Sequence, residues 1–263
     1  MEIEFKKYKY KDSILSFKFN SKEVNGIIGK DSKIIEEILK LSHEYEGKIL
    51  IDGNTINKSD INTYKRKIKV IKGNEYLNIK TETIYELMEY LLRIEKIYPR
   101  NKQKKINDSL RIVGLDKSIL ERNIDTLSSS EKKLLTYAIS LLSNPEILII
   151  EEPFRYLDLK NIKKILLILR KIKDQYNKII ILVSNDIDKI YQYTDSITIY
   201  NKDSKIIQGN TKEVFQDTKK IEESKINLPE LVKFTDTVKN KKKIKIDYHK
   251  DIRDLIKDIY KHV

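Results

Sequence analysis

Near the N-terminus, residues 3–9 and 14–19 alternate apolar and polar positions. A period of two predicts a pair of antiparallel strands with one buried face. Further along, the pattern changes. Residues 24–28, 68–71, 147–150 and 179–183 are nearly unbroken apolar runs of strand length, as expected for strands covered on both faces. Residues 47–51 read as another strand, followed by a turn at Asp52-Gly53-Asn54. Residues 83–142 read as mostly helical, with Ile84, Leu87, Met88, Leu91 and Leu92 at helical spacing. Helices are also expected from residue 34 to 41 and over 159–172 and 187–193, and short strands around 197–200 and 205–208. Strands alternating with helices predict an α/β fold. Its parts would be a parallel core sheet, an antiparallel β edge subdomain and an inserted α-helical subdomain at about residues 78–142. From about residue 218 the chain is more polar and carries Pro229. It closes on an amphipathic segment, 252–260, that sets Ile252, Leu255, Ile256 and Ile259 on one stripe. The expected division is a main domain over 1–217 and a small C-terminal extension over 218–263, a candidate dimerisation element.

Composition narrows this picture. The 263 residues are 40% hydrophobic and 35% charged, enough for a core and a solvated surface. There is no cysteine, so no disulfide framework and no thiolate metal site. No apolar run approaches the roughly 20 residues of a membrane helix, and Met1-Glu2-Ile3-Glu4 lacks a basic-then-apolar signal pattern. A cytoplasmic protein is the expectation. The net charge of +13 is spread out, with one dense block at Lys239-Asn240-Lys241-Lys242-Lys243. Nucleic acid is therefore not the expected partner.

One segment has the outline of a phosphate-binding loop. A strand-like run ends at Gly29-Lys30-Asp31-Ser32-Lys33 and leads into Ile34-Ile35-Glu36-Glu37. Such a loop needs glycines that let backbone N–H groups point at phosphates, a lysine for their charge, and a hydroxyl for Mg²⁺. With Gly29 as the first glycine, Ser32 and Ile34 fall at later glycines, Ile35 at the lysine and Glu36 at the hydroxyl. Glu36 and Glu37 then add negative charge where phosphate is favoured at a helix N-terminus. A rival alignment reads Gly29-Lys30-Asp31 as a shifted glycine-lysine pair and takes the loop out of the 24–28 strand. A plain strand-turn-helix connection capped by Asp31 or Ser32 fits as well.

Further segments, in order, resemble the ATPase subunits of ABC transporters over residues 1 to about 217. Leu127-Ser128-Ser129-Ser130-Glu131 resembles their LSGGQ signature. Asn144-Pro145-Glu146-Ile147-Leu148-Ile149-Ile150-Glu151-Glu152-Pro153 resembles the Walker B strand with its catalytic glutamate. Leu157-Asp158 follows at the spacing of the D-loop, and Ile181-Leu182-Val183-Ser184-Asn185-Asp186 resembles the switch-histidine strand. The tail narrows the likeness. Gly209-Asn210-Thr211-Lys212-Glu213-Val214-Phe215 and Ile226-Asn227-Leu228-Pro229-Glu230-Leu231-Val232-Lys233-Phe234 look like ATPase subunits of energy-coupling-factor importers, which take up vitamins and trace metals.

The resemblance implies a P-loop NTPase-like fold, with ATP and Mg²⁺ as cofactors. It also implies a second ABC ATPase subunit, a transmembrane coupling protein and a substrate-binding membrane protein as partners. The chain would lie peripherally on the inner face of the cell membrane. Residue by residue, however, the cassette's own site is altered. The degenerate Walker A segment comprises Gly29, Ser32, Lys33, Ile34, Ile35, Glu36 and Glu37. Gly73 stands at the Q-loop glutamine, Glu151 at the Walker B aspartate and Asn185 at the switch histidine. Glu152 remains as a general-base candidate, and Tyr8 or Tyr10 stands where the family stacks adenine. No residue set here is assigned to a metal, and binding of ATP and Mg²⁺ by this chain is in doubt. Ser128 and Asp158, which in the family act on the partner's nucleotide, are retained. Ser129, Ser130 and Glu131 replace the signature's glycines and glutamine. The expectation is a pseudo-ATPase paired with a competent cassette. The alternatives are an active ATP-hydrolysing subunit and a non-catalytic regulatory or nucleic-acid-binding protein of ABC fold.

Overall fold

Two sheets organise the chain. The computed structural model describes residues 1–10, 13–28, 39, 41, 45–73, 76, 79–155, 157–200, 206–243 and 245–261, and nothing is said of the side chain of Tyr10. The antiparallel sheet runs in the order β2-β1-β4-β5, where β1 is Glu2–Tyr10, β2 Ser13–Asn20, β4 Glu46–Ile51 and β5 Asn54–Thr55. The second sheet has the order β10-β9-β3-β8-β7-β6. Here β3 is Val24–Ile28, β6 Ile68–Lys72, β7 Ile147–Glu151, β8 Ile179–Val183, β9 Ser196–Tyr200 and β10 Ile206–Asn210. β3, β6, β7, β8 and β9 run parallel, and β10 closes one edge antiparallel to β9.

The alternation in β2 is realised residue for residue: Ser13, Leu15, Phe17 and Phe19 are buried, while Ile14, Ser16 and Lys18 are exposed. β1 departs from strict alternation. Its register slips between Phe5 and Tyr8, and Lys7 has φ +48°. This bulge resets the parity, so Ile3, Phe5 and Tyr8 all point inward. Gly47 (φ +102°) faces the bulge. A Cβ there would lie 2.3 Å from the Lys7 carbonyl oxygen, so only glycine fits.

Of the apolar runs, β3, β7 and β8 are strands with two covered faces, whereas β6, at the edge of its sheet, is half-buried apart from Ile71. In β7, Ile147 and Ile149 join the core between the two sheets, and Leu148 and Ile150 join the larger core under the helices. β8 divides in the same way, with Ile179, Ile181 and Val183 on one side and Ile180 and Leu182 on the other. Each such side chain removed from water contributes ~1.5–3 kcal/mol.

The 83–142 region holds helices Ile84–Ile94, Lys102–Val113 and Ser129–Leu141, with 3₁₀ turns between the last two. Each of these helices starts at a residue whose side-chain oxygen accepts a backbone N–H: Thr83, Asn101 and Ser128. Helices Leu159–Tyr176 and Ile187–Tyr193 follow, capped by Asp158 and Asp186. The tail is more ordered than its polarity suggests. Helices Thr211–Gln216, Thr218–Glu223 and Glu230–Lys242 place Phe215, Ile221 and Val232 in the larger core, and Leu228, between the last two, joins them. In the last helix, Ile252–Tyr260, only Leu255 of the expected stripe is fully buried (1% exposed). Ile252, Ile256 and Tyr260 are exposed, and Ile259 lies between. No helix among the described residues is long and apolar enough to cross a membrane.

Candidate functional site

Gly73, Glu151, Glu152 and Asn185 lie at the C-terminal ends of β6, β7 and β8, where ligands of open α/β sheets bind. The phosphate-loop residues Gly29, Ser32, Lys33, Ile34, Ile35, Glu36 and Glu37 lie outside the described residues. So does the helix expected from residue 34, apart from Leu39 and Leu41.

Glu151 ends β7, directly opposite Lys72 at the end of β6. The Lys72 ammonium lies 2.9 Å from Glu151 Oε1, so an internal cation already balances this carboxylate. Gly73, the next residue, has φ +45° and offers no side chain where the family carries glutamine. Among the described residues, no group of three or more His, Cys, Asp or Glu could hold a metal ion. Mg²⁺ is usually held by one or two carboxylates together with waters and substrate phosphates, and the described carboxylate expected at the Walker B position, Glu151, is paired with Lys72.

Glu152 follows with a backbone φ of +43°, unusual for a side-chain-bearing residue. Its N–H donates to the Val183 carbonyl (2.8 Å), and its own carbonyl accepts from Lys133 Nζ (3.2 Å) and from the Arg155 N–H (3.2 Å). Both carboxylate oxygens are engaged as well. Oε1 accepts the Asn185 N–H (3.1 Å), and Oε2 accepts the Ser184 hydroxyl (2.9 Å). Lys133 is 7% exposed, and burial holds its ammonium below the usual lysine range, partly offset by the charge of Glu152. Gly73, Ser129, Lys132, Lys133, Glu151, Glu152 and Arg155 line a cleft of about 390 Å³. On the other side of Glu152, a second cleft includes Phe154, Leu157, Ser184, Asn185 and Asp186. Asn185, at the switch position, is exposed and carries no charge.

The residues expected to face a partner are exposed. Ser128 and Ser129 open helix Ser129–Leu141, and Asp158 caps helix Leu159–Tyr176 by accepting the Asn161 N–H (2.7 Å). Glu131 completes a capping box with Ser128. One of its oxygens accepts both the Ser128 N–H and the Ser128 hydroxyl, each at 2.8 Å. Its other oxygen accepts from Arg122 (3.0 Å). The Ser128 N–H, then the Ser128 hydroxyl and the Arg122 guanidinium, hold the Glu131 carboxyl below the usual range. A carboxylate thus already sits where the helix N-terminus favours an anion. Leu127 and Ser130 are buried and half-buried beside it.

The expectation of adenine stacking at Tyr8 is corrected. Its ring is 3% exposed, stacked on Tyr45 (5.7 Å) and edge-on to Phe5 (5.5 Å), so no face is open to a base. The side chain of Tyr10 is outside the description. Sequence reasoning also missed Lys72, Arg122, Lys133 and Ser184. Ser184 could have been found, since it adjoins the switch position.

Comparison with known proteins adds ancestry to this geometry. A family model described as "ABC transporter" matches residues 13–155, more than half of the chain. The chain is 25% identical over 223 residues to the energy-coupling factor transporter ATP-binding protein EcfA2 of Caldanaerobacter subterraneus subsp. tengcongensis, covering 82% of this chain and 78% of that protein. It is 24% identical over 236 residues to the protein of the same name from Staphylococcus aureus, covering 87% and 78%. Among solved structures it is similar to cbiO1 from Clostridium perfringens, part of the ABC transporter complex cbiONQ. The TM-score is 0.70 at 21% identity, covering 89% of this chain and 98% of that one. It is also similar to the dimeric ATP-binding cassette MJ0796 bound to ADP and Pi, with TM-score 0.60 at 19% identity, covering 80% and 98%. These likenesses show the ABC ATPase fold.

Proposed function

This chain belongs to the ABC transporter family, and from that premise we propose that it is the ATPase-fold subunit of an energy-coupling-factor importer, degenerate at its own nucleotide site. It pairs with a competent cassette beneath the membrane components of the transporter and completes that cassette's site with Ser128 and Asp158. The names of the curated relatives support the importer reading. The observation that carries the degenerate reading is the Glu151–Lys72 ion pair. A lysine balances the carboxylate that would otherwise help hold a metal, and no described acidic cluster replaces it. Glu152 accepts one hydrogen bond at each oxygen, from the Asn185 N–H and the Ser184 hydroxyl.

In this arrangement the chain's contribution is surface and positioning. Ser128, Ser129 and Asp158 are exposed on the face offered to the partner. A phosphate held by the partner must displace the Glu131 carboxylate to reach the Ser128 N–H and hydroxyl. The cytoplasmic, peripheral location at the membrane is part of this proposal. So is the assignment of 218–263 as a pairing element. The transported cargo belongs to the membrane partner.

The test is titration calorimetry of the purified chain with Mg-ATP. Ile35, Glu36 and Gly73 stand in place of a lysine, a metal-ligating hydroxyl and a glutamine. Hydrogen bonds to charged groups are worth ~1.5–3 kcal/mol each, and ~1.4 kcal/mol is a factor of ten in affinity. Binding weaker by orders of magnitude than a micromolar constant is expected. A micromolar, Mg²⁺-dependent constant would contradict the degenerate site.

A further inference from the structure

Glu152 is held at every polar atom. Its N–H is fixed by Val183, its carbonyl by Lys133 and the Arg155 N–H, Oε1 by the Asn185 N–H and Oε2 by the Ser184 hydroxyl. Ser184 is itself placed on both sides. Its N–H donates to the Ile27 carbonyl of β3 (3.3 Å), and its Oγ accepts the Asp186 N–H (3.1 Å). Beyond Glu152, the Arg155 N–H donates to the Glu152 carbonyl and the Leu157 N–H to the Phe154 carbonyl (3.3 Å), and Asp158 follows Leu157 as the cap of the next helix. The left-handed backbone at Glu152 (φ +43°) costs free energy and persists only where its surroundings impose it. Here the surroundings are the ends of β3 and β8 and the buried ammonium of Lys133.

We propose that Glu152 is a positioning residue. Its carboxylate latches residues 184–186 to the turn that carries Asp158, and so holds the partner-facing surface in one geometry without nucleotide in this chain's own site. The latch rests on the degenerate-cassette reading for its purpose, while its mechanics lie within the chain. The Glu152 carboxylate receives one N–H and one O–H at once. A glutamine can serve equally. Its oxygen accepts the Asn185 N–H, and its amide nitrogen donates to Ser184 Oγ, which has a second lone pair free beside the Asp186 contact. Alanine can do neither.

The experiment is hydrogen exchange on the full-length chain without nucleotide, comparing wild type with Glu152→Gln, Glu152→Ala and Ser184→Ala. Exchange in native proteins reads local opening segment by segment. In Glu152→Ala, peptides covering 157–162 and 184–190 are expected to exchange at least about tenfold faster, since two hydrogen bonds to a charged group are lost. Ser184→Ala is expected to be intermediate and Glu152→Gln to match wild type, with β1 and β2 unchanged throughout. Three results would overturn the proposal: no change in Glu152→Ala, loosening by Glu152→Gln equal to that by alanine, or a uniform rise that includes β1 and β2. Nucleotide is left out, so this experiment reads the latch alone. The Mg-ATP titration reads the degenerate site, and either can fail without the other.

Discussion

Glu131 differs from glutamine by one charge, and that charge lies at the N-terminus of helix Ser129–Leu141. Its folded pKa is lowered, chiefly by the Ser128 N–H. A carboxylate with a lowered folded pKa contributes stability above its unfolded value of about 4.3. That contribution is lost as pH falls through the folded value. Near neutral pH Glu131 is therefore ionised, and it opposes any phosphate brought to the same helix end. Like charges about 4 Å apart cost ~1–4 kcal/mol at surface-like dielectric values. In the assembled complex, Glu131→Gln is expected to lower the KM for ATP by roughly tenfold, at ~1.4 kcal/mol per decade. A steady-state ATP titration of the two complexes checks this; an unchanged or raised KM would contradict it. Much at this scale was legible in the sequence. Ser128 with Glu131 three residues on is a capping box that can be read directly from the residues. The Lys72–Glu151 pair was not, because it depends on two strands far apart in sequence lying side by side. Tyr8 was open to two readings, and the bulge at Lys7 turned it into the core.

At the scale of elements, β7 and β8 were the most legible part, since the unbroken apolar runs 147–150 and 179–183 need cover on both faces. The tail was the least legible. Its helices 211–216, 218–223 and 230–242 are short or polar, and single residues such as Phe215 and Val232 tie them to the core. A few anchors among lysines leave little periodicity to read. The last helix separates burial from pairing. Leu255 is 1% exposed, whereas Ile256 is 45% and Tyr260 78% exposed. Leu255→Asp is expected to cost at least the ~2–5 kcal/mol of a buried leucine truncation. It would unfold the helix rather than test pairing. Ile256→Asp is expected to leave circular dichroism and melting unchanged while abolishing co-purification with a partner cassette. Retained co-purification would remove the exposed stripe from the interface.

At the scale of the molecule, the two ends of the proposed function adjoin, since Ser129 lines the cleft that also holds Gly73, Glu151 and Glu152. The chain's own site is the cleft at Gly73, Glu151 and Glu152, with an internal lysine balancing Glu151. The surface offered to a partner carries Ser128 and Asp158, both exposed and both at helix starts. The expectation from sequence is an asymmetry, with the chain's own motifs altered and the partner-facing ones altered only in part, at Ser129, Ser130 and Glu131. The structure adds the contacts of Glu152, whose carboxylate accepts from Ser184 and Asn185 and whose carbonyl accepts from the Arg155 N–H. The central claim is that this chain serves the partner's nucleotide and not its own. The most direct measurement is the ATPase rate of the reconstituted complex with single substitutions placed in this chain. Ser128→Arg blocks the approach to the helix N-terminus, where a donor aimed at developing charge is worth ~2.7–4 kcal/mol, or roughly 10²–10³ in rate. The account predicts a loss of that order from Ser128→Arg and a near-wild-type rate with Glu152→Gln. A large loss from Glu152→Gln with little from Ser128→Arg would mean that the chain hydrolyses ATP at its own site.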